Sequence, residues 1–153
     1  MANDKHNFSE KLKSELLNVK FKNAAEKRAC LSAYVRSSGT ICSEGGSVGF
    51  ELSPAGETEK NFFVSIIRSL YNFEPQTITS VKRGKITLKV LGGKSAEILL
   101  DLGIIEKDED GIALKLGIDE KQVTDATRGA YLRGLFLGSG SVTVPNAERT
   151  STT

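Results

Sequence analysis

Two segments that lie 101 residues apart share one pattern, and this repetition constrains the fold more than any other feature of the chain. Residues 29–39 read ACLSAYVRSSG, and residues 130–140 read AYLRGLFLGSG. Each reads as a helix that ends in Ser-Gly. Ala33 and Gly134 fall at equivalent points and have almost no side chain, so two helices that meet there can pack closely. The pattern predicts a paired-helix seam.

Helices and hairpins alternate in the rest of the sequence. Apolar residues at helical spacing, together with capping residues, predict helices over about 7–19, 24–38, 57–71, 95–102 and 125–139. Asn7 is expected to cap the first helix, Gly39 to close the second in the left-handed conformation, and Gly103 to end the fourth.

Two hairpins are predicted from short runs in which apolar and polar residues alternate. The first covers residues 40–52 and turns at Gly45 and Gly46. The second has strands over 77–81 and 85–91 about an Arg83–Gly84 turn, with one apolar face and one basic and polar face. An acidic turn is expected at about residues 108–111.

The composition is that of a folded protein of one domain, because 39% of the 153 residues are apolar and 26% are charged. No apolar run approaches the ~18 residues of a membrane span, and the N-terminus is polar, so we expect a cytoplasmic protein without a membrane partner. Cys30 and Cys42 form no CxxC motif and His6 stands alone. We expect reduced structural thiols and no metal site.

The net charge of +2 conceals an uneven distribution. Residues 1–36 hold eight Lys and Arg against four acids, whereas residues 97–120 hold eight acids against two lysines. A second basic cluster, with no acid inside it, consists of Lys82, Arg83, Lys85 and Lys89. Basic surface is therefore expected early and in mid-chain, and the acidic stretch should repel phosphates.

The repeated segments and the element order between them resemble the LAGLIDADG homing-endonuclease superfamily, because Leu31–Gly39 and Leu132–Gly140 each look like a degraded form of its nonapeptide. The resemblance implies an α+β fold with one complete αββαββ repeat and the motif helix of a second, truncated repeat. The motif helices would pair at the centre of a saddle whose sheets follow the DNA groove. The interface residues that it implies are Leu31, Ala33, Ser38, Gly39, Leu132, Gly134, Ser139 and Gly140.

In that superfamily an acidic residue before each terminal glycine holds the divalent metals that cut DNA. Ser38 and Ser139 occupy those positions here, and Arg36 and Leu137 occupy the other acidic position of the nonapeptide. Mg²⁺ prefers carboxylate oxygens, and two-metal cleavage needs paired charges. We therefore expect no catalytic residue, no metal and no cofactor.

Within the superfamily the chain is most similar to the WhiA family, over about residues 7–145. The likeness is carried by residues 8–10, 28–31, 99–105 and 130–137. It implies an N-terminal helical leader (1–23), a first repeat (24–124) and the start of a second repeat (125–153). It also implies a non-catalytic, nucleoid-associated module with a role in transcription regulation, sporulation and cell division.

The family continues into a second sheet and a helix-turn-helix domain, whereas this sequence stops at residues 142–153, about where the next strands would begin. If these residues were the whole product, the last motif helix would leave apolar surface exposed. Self-association through the motif helices, or an unstable fold, would then be expected.

Double-stranded DNA is the partner that the resemblance and the basic hairpin indicate. The expected contact residues are Lys82, Arg83, Lys85 and Lys89. They would bind phosphates, because lysine on a sheet supplies charge without base specificity. The same side chains could serve only to protect a solvated sheet edge. No small-molecule substrate is expected.

Other interpretations stay open. Small residues at positions 33 and 134 alone would also fit ordinary core helices. A protein-interaction scaffold would use the basic face for solubility, and a metal-dependent nuclease would need other acids, such as Glu44 or Glu51. A phosphate loop at residues 138–141 is disfavoured, because its glycines follow a helix and do not precede one.

Overall fold

The fold is that of a computed structural model, which describes residues 11–44, 47–80, 84–92, 94–115 and 123–139. Several sequence predictions fall outside the described residues. They concern the Asn7 cap, the turn at Gly45 and Gly46, Lys82, Arg83, Gly140 and residues 142–153.

Five helices and six strands follow one another in the described ranges. The helices are α1 (residues 11–18), α2 (Ala24–Ser38), α3 (Glu57–Tyr71), α4 (Ser95–Asp101) and α5 (Arg128–Ser139). The strands are β1 (Thr40–Glu44), β2 (Ser47–Leu52), β3 (Gln76–Ser80), β4 (Lys85–Val90), β5 (Ile105–Asp108) and β6 (Gly111–Leu114). Helices combined with antiparallel sheets agree with the α+β class. None of the helices described is both long and apolar enough to cross a lipid bilayer.

The first four strands form one antiparallel sheet in the order β1-β2-β4-β3. Each predicted hairpin supplies two neighbouring strands, and the hairpins join where Phe50 of β2 faces Val90 of β4. The strand β4 buries its apolar residues Ile86, Leu88 and Val90. Its other face carries Lys85, Thr87 and Lys89, all at least partly exposed. The predicted alternation of buried and exposed side chains is therefore confirmed for β4, whereas β3 is exposed or half-buried along its whole length.

The helix α2 lies in the core and packs mainly against α5 and α3. Every residue from Ala29 to Val35 is buried, so the segment is enclosed on all sides and needs no polar face. The helix α3 is amphipathic instead, and it buries Phe63, Ile66 and Ile67. The bounds predicted for both helices are confirmed.

A buried carboxylate, that of Glu59, links α2 to the start of α3. The Tyr34 hydroxyl donates to Glu59 Oε2 at 2.7 Å, and Ala55 N donates to the same oxygen at 3.2 Å. The Tyr34 ring also stacks on Phe63, with a centroid distance of 3.7 Å. Burial, and next the Glu59 charge, raise the pKa of Tyr34, so its phenol stays protonated as a donor. These donors offset the cost of burying a charge.

The ends of two helices differ from the sequence predictions. Gly39 is extended, with φ −80° and ψ 158°, and is not left-handed. Glycine is required there because a Cβ would stand only 2.6 Å from the Val35 carbonyl oxygen. The helix α5 begins at Arg128 and not near residue 125, because a turn precedes it in which Thr124 N donates to Thr127 Oγ1 at 2.9 Å.

The predicted acidic turn is the tip of a third hairpin, β5–β6, whose strands were not predicted. Asp108 Oδ1 accepts from Asp110 N at 2.9 Å, and Gly111 has φ 123°. The Asp110–Gly111 pair is the sequence signal for such a turn. Strands of four residues, however, leave too little alternation to recognise. The left-handed Gly103 at the end of α4, with φ 73°, is confirmed.

Replacing Tyr34 by Phe should lower the free energy of unfolding by about 1–3 kcal/mol, because the Glu59 carboxylate stays buried but loses one of its two donors. Urea denaturation measures this. Tyr71→Phe is the matched control, since the Tyr71 hydroxyl donates to Asp101 in an exposed contact. Its loss should cost about 1 kcal/mol or less. Equal losses for the two variants would contradict the role given to Glu59.

Candidate functional site

The helices α2 and α5 lie against each other at glycine positions. A Cβ on Gly134 would overlap the Cys30 carbonyl oxygen and stand 2.9 Å from the Ala33 Cβ. The backbone of α5 therefore touches the backbone of α2 at this point, a separation that only a residue without a side chain permits. We call the contact of α2 with α5 the seam.

A second close contact shows how the two helices are oriented. A Cβ on Gly138 would overlap Ser37 Oγ and stand 3.4 Å from Ser38 Oγ. Gly134 faces Cys30 and Ala33, and four residues later Gly138 faces Ser37 and Ser38, so the helices run in the same direction. Their C-terminal ends lie together. Gly138 was missed as a seam residue, although glycines at positions i and i+4 share one helix face.

Neutral hydroxyls stand at the end of α2. The hydroxyls of Ser37 and Ser38 both donate to the Tyr34 carbonyl oxygen, at 3.3 and 3.1 Å. They are bound back onto their own helix and do not project as ligands. Ser139 ends α5, but its side chain lies outside the described part, as does Gly140.

The other expected seam residues fall into two groups. Leu31 and Ala33 are fully buried in α2. Leu132 does not pack in the core, because 58% of its surface is exposed. The reason is geometric: Leu132 precedes the contacting Gly134 by two residues, which places it about 200° around the helix.

Arg36 connects the end of α2 to two other segments of the chain. Its guanidinium donates to the Lys115 carbonyl oxygen at 3.2 Å and also to the Gly103 carbonyl oxygen. It thereby ties the end of α2 to the end of α4 and to the residue that follows β6. Its Nε is buried and has no hydrogen-bond partner in the described part of the chain.

Arg133 is a functional candidate that the sequence reasoning missed. It is a buried cation, 8% exposed, on α5. Its Nη1 donates to the carbonyl oxygens of Leu16 and Val19 at 2.7 and 2.6 Å, and its guanidinium lies 4.0 Å from the Phe21 ring centroid. It binds two carbonyls at the end of α1, as cations at helix C-termini do. The leader is therefore fastened to the seam.

The thiol of Cys30 is enclosed in the same place. Burial raises the pKa of Cys30 to about 12, and the nearby Arg133 charge opposes that rise. The thiol is therefore neutral at physiological pH and unreactive. Neither Cys30, which is buried, nor Cys42, which is half-buried, forms a disulfide among the described residues.

A polar surface lies on the side of the four-stranded sheet that faces away from the helices. Strand pairing aligns Glu51 of β2 and Gln76 of β3 with Lys89 of β4. By the same register this outer sheet face includes Glu51, Gln76, Ile78, Ser80, Lys85, Thr87 and Lys89. Each of these side chains is exposed or half-buried. Strand β1 adds the positions of Thr40, Cys42 and Glu44 to the same face.

The outer sheet face carries charges of both signs. Lys89 Nζ lies 3.6 Å from Glu51 Oε2, so one of its lysines is partly neutralised. Lys85 is exposed and has no ion pair among the described residues. Gly84, with φ 61°, precedes it in the turn. Of the four cations expected to meet DNA, the structure thus places Lys85 and Lys89 on one face, while Lys82 and Arg83 lie outside the described ranges.

The described ranges contain no acidic cluster of the kind that binds a metal ion. No group of three or more His, Cys, Asp or Glu side chains stands close enough together there to hold a metal ion. Glu44 and Glu51 were the two candidate acids for a nuclease. Glu51 forms an ion pair with Lys89, and the Glu44 side chain is not among those that the structure describes.

Adding one methyl group at Gly134 should destabilise the fold. Gly134→Ala forces α5 away from α2, and we expect a loss of about 1–3 kcal/mol in urea denaturation. The control is Gly129→Ala in the same helix, where a Cβ would meet nothing within 4 Å. Alanine there should be neutral or stabilise by up to about 1 kcal/mol. A stabilising Gly134→Ala would show that the seam is loose.

Removing the Arg133 side chain should release the leader. Arg133→Ala leaves the end of α1 without its donors, so trypsin should cut at Lys20 and Lys22 much faster than in the parent chain. Arg133→Lys should restore little, because an ammonium on a shorter side chain cannot stack flat on the Phe21 ring as the guanidinium does. Unchanged cleavage in Arg133→Ala would contradict the fastening. The control is Arg128→Ala, which removes an exposed arginine of the same helix.

The known proteins that are similar to this chain carry the same name. The chain is 30% identical over 148 residues to the "Probable cell division protein WhiA" of Thermoanaerobacter pseudethanolicus, which covers 90% of this chain and 46% of that protein. It is 28% identical over 151 residues to the protein of the same name from Clostridium botulinum strain Eklund 17B, covering 94% and 47%. The protein of that name from Alkaliphilus metalliredigens is 29% identical over 146 residues, covering 90% and 46%.

No protein-family profile matches the chain. The chain spans about half the length of the curated relatives it matches. Over that length, the chain belongs to the WhiA family.

Proposed function

We propose that this chain is a non-catalytic DNA-binding module of a WhiA-type regulator, built on a LAGLIDADG-like repeat. The relatives it matches are named cell division proteins. Roles in cell division, transcription regulation and sporulation, and a place in the cytoplasm at the nucleoid, are part of the same proposal.

The observation that carries the proposal is the outer sheet face. On β2, β3 and β4 it presents two lysines, hydroxyl and amide groups, Ile78 and the carboxylate of Glu51, and no helix among the described elements buries these side chains. A strand spacing of about 4.8 Å and alternating side chains make such a sheet a regular array of hydrogen-bond donors. Phosphates are the groups that this array fits, because ammonium and hydroxyl donors both bind phosphate oxygens.

The absence of catalysis in this proposal depends on the ends of α2 and α5. A cleaving site would need carboxylates where the helices meet. The side chains described there are the serines of α2, whose hydroxyls donate to their own helix. The seam then acts as a scaffold that fixes the sheet, and the sheet carries the affinity.

Binding to duplex DNA should be salt-dependent and should need the cationic side chains. A gel-shift series between 50 and 200 mM salt should show log K falling by about 0.9 per phosphate contact for each unit of log salt. Changing Lys82, Arg83, Lys85 and Lys89 together to Gln should weaken binding by about tenfold or more and flatten that slope. Glu51→Gln should strengthen binding, since it frees Lys89 and removes a negative charge from the face.

The control variant is Lys60→Gln with Lys107→Gln, which removes two cations on α3 and β5, away from the outer sheet face. It should leave the affinity nearly unchanged. No retardation at low salt, or equal weakening by the control, would contradict the proposal. Nicking of supercoiled DNA with Mg²⁺ or Mn²⁺ that is lost in Glu44→Gln with Glu51→Gln would establish a nuclease in its place.

A second candidate is a protein-interaction scaffold without DNA affinity of its own. It is favoured by exposed apolar side chains, since Ile112, Leu114 and Leu132 are 45%, 55% and 58% exposed. Ile112 and Leu114 share one face of β6, because side chains two apart on a strand point the same way. Sedimentation that shows association, together with a failure to retard DNA at low salt, would select this candidate.

A further inference from the structure

A pocket opens on the helical side of the molecule, where the leader crosses α2 and α3. Its volume is about 440 Å³. Its lining includes Asn18, Lys20, Phe21, Lys27, Phe62 and Ser65, together with three aliphatic side chains. Pockets of about 300–1,000 Å³ are the size of small-molecule sites.

The charge of the pocket has one sign. Lys20 and Lys27 line it, and no acidic residue does. Lys27 Nζ donates to Ser69 Oγ at 2.9 Å, which holds that ammonium in place without neutralising it. The nearest acid along the chain, Glu26, is turned to the Lys22 backbone, whose N–H donates to its Oε1 at 2.7 Å. An anion in the pocket would therefore meet two ammonium groups and no competing carboxylate from the lining.

The apolar part of the lining is aromatic. The rings of Phe21 and Phe62 lie 5.7 Å apart between centroids, at an angle of 35°. Both rings also contact the buried Arg133 guanidinium, at 4.0 and 5.8 Å from their centroids. The hydrogen bonds of Arg133 in the described part go to carbonyl oxygens, so its charge is not cancelled by a carboxylate. Aromatic faces of this kind accept flat rings.

We propose that this pocket binds a nucleotide, with the base against Phe21 and Phe62 and the phosphates at Lys20 and Lys27. Asn18 and Ser65 supply the polar groups that a ribose or base edge requires. A fatty acid, the other anionic and apolar class, would use one ammonium and would leave these polar groups without partners. The site lies away from the outer sheet face, so nucleotide binding there does not depend on whether that face binds DNA.

The ligand would act on the seam through residues already in contact. Phe21 forms the pocket wall and also packs on Arg133 of α5. A nucleotide that binds only the docked leader stabilises the docked state by mass action. Binding should therefore slow trypsin cleavage at Lys20 and Lys22.

The test measures binding of ATP and of GTP to the full chain by titration calorimetry and by thermal shift, with inorganic phosphate and oleate as separate probes. We expect saturable binding of at least one nucleotide, weaker binding of phosphate and none of oleate. Lys20→Gln with Lys27→Gln should weaken nucleotide binding by about tenfold or more. Ser65→Trp, which fills the pocket, should abolish it while circular dichroism stays that of the parent.

The matched control is Lys11→Gln with Lys13→Gln, which removes two cations from the same leader outside the pocket lining. It should leave nucleotide binding unchanged. Failure of both nucleotides to saturate, saturable binding of oleate alone, or equal weakening by the control pair would overturn the proposal. Loss of DNA binding in the outer-face variants with nucleotide binding intact would show that the two sites are separate.

Discussion

The close approach of α5 to α2 is the constraint on which the rest of this structure depends. Gly134 stands where any side chain would overlap the Cys30 carbonyl oxygen. Backbones at that separation gain dispersion contacts along the whole helix face, but the gain is lost steeply as the helices move apart. The position of α5 decides where Arg133 stands, and Arg133 holds the leader. One glycine thus controls the placement of three helices.

Two pairs of positively charged residues have different roles in this structure. Arg36 and Arg133 donate to backbone carbonyls in the interior and so hold segments together, with no carboxylate partner among the described contacts. Lys85 and Lys89 remain on the outer sheet face, where charge can attract phosphate over distances of about 10 Å. Arginine suits the first use because its planar fork reaches two acceptors at once, and lysine suits the second because its ammonium stays hydrated.

Much of this architecture could be read from the sequence, because the period of apolar residues reports local structure directly. The bounds of α2 and α3 and the two faces of β4 followed from that period. The role of Arg133 could not be read, since nothing local tells a helical arginine whether it meets solvent or the carbonyls of Leu16. The extended conformation of Gly39 could not be read from the sequence either, because a glycine fits a left-handed turn and a close contact equally well. Assignment to the LAGLIDADG fold and the division into repeats at residues 24 and 125 stay predictions.

The hydrogen bond from Arg133 to Leu16 joins residues 117 positions apart, and the seam joins segments about as distant. Contacts of such long range close a large loop before they return any stability, which slows folding. During synthesis the leader leaves the ribosome long before α5 exists. Its apolar side therefore lacks its partner until α5 has been synthesised.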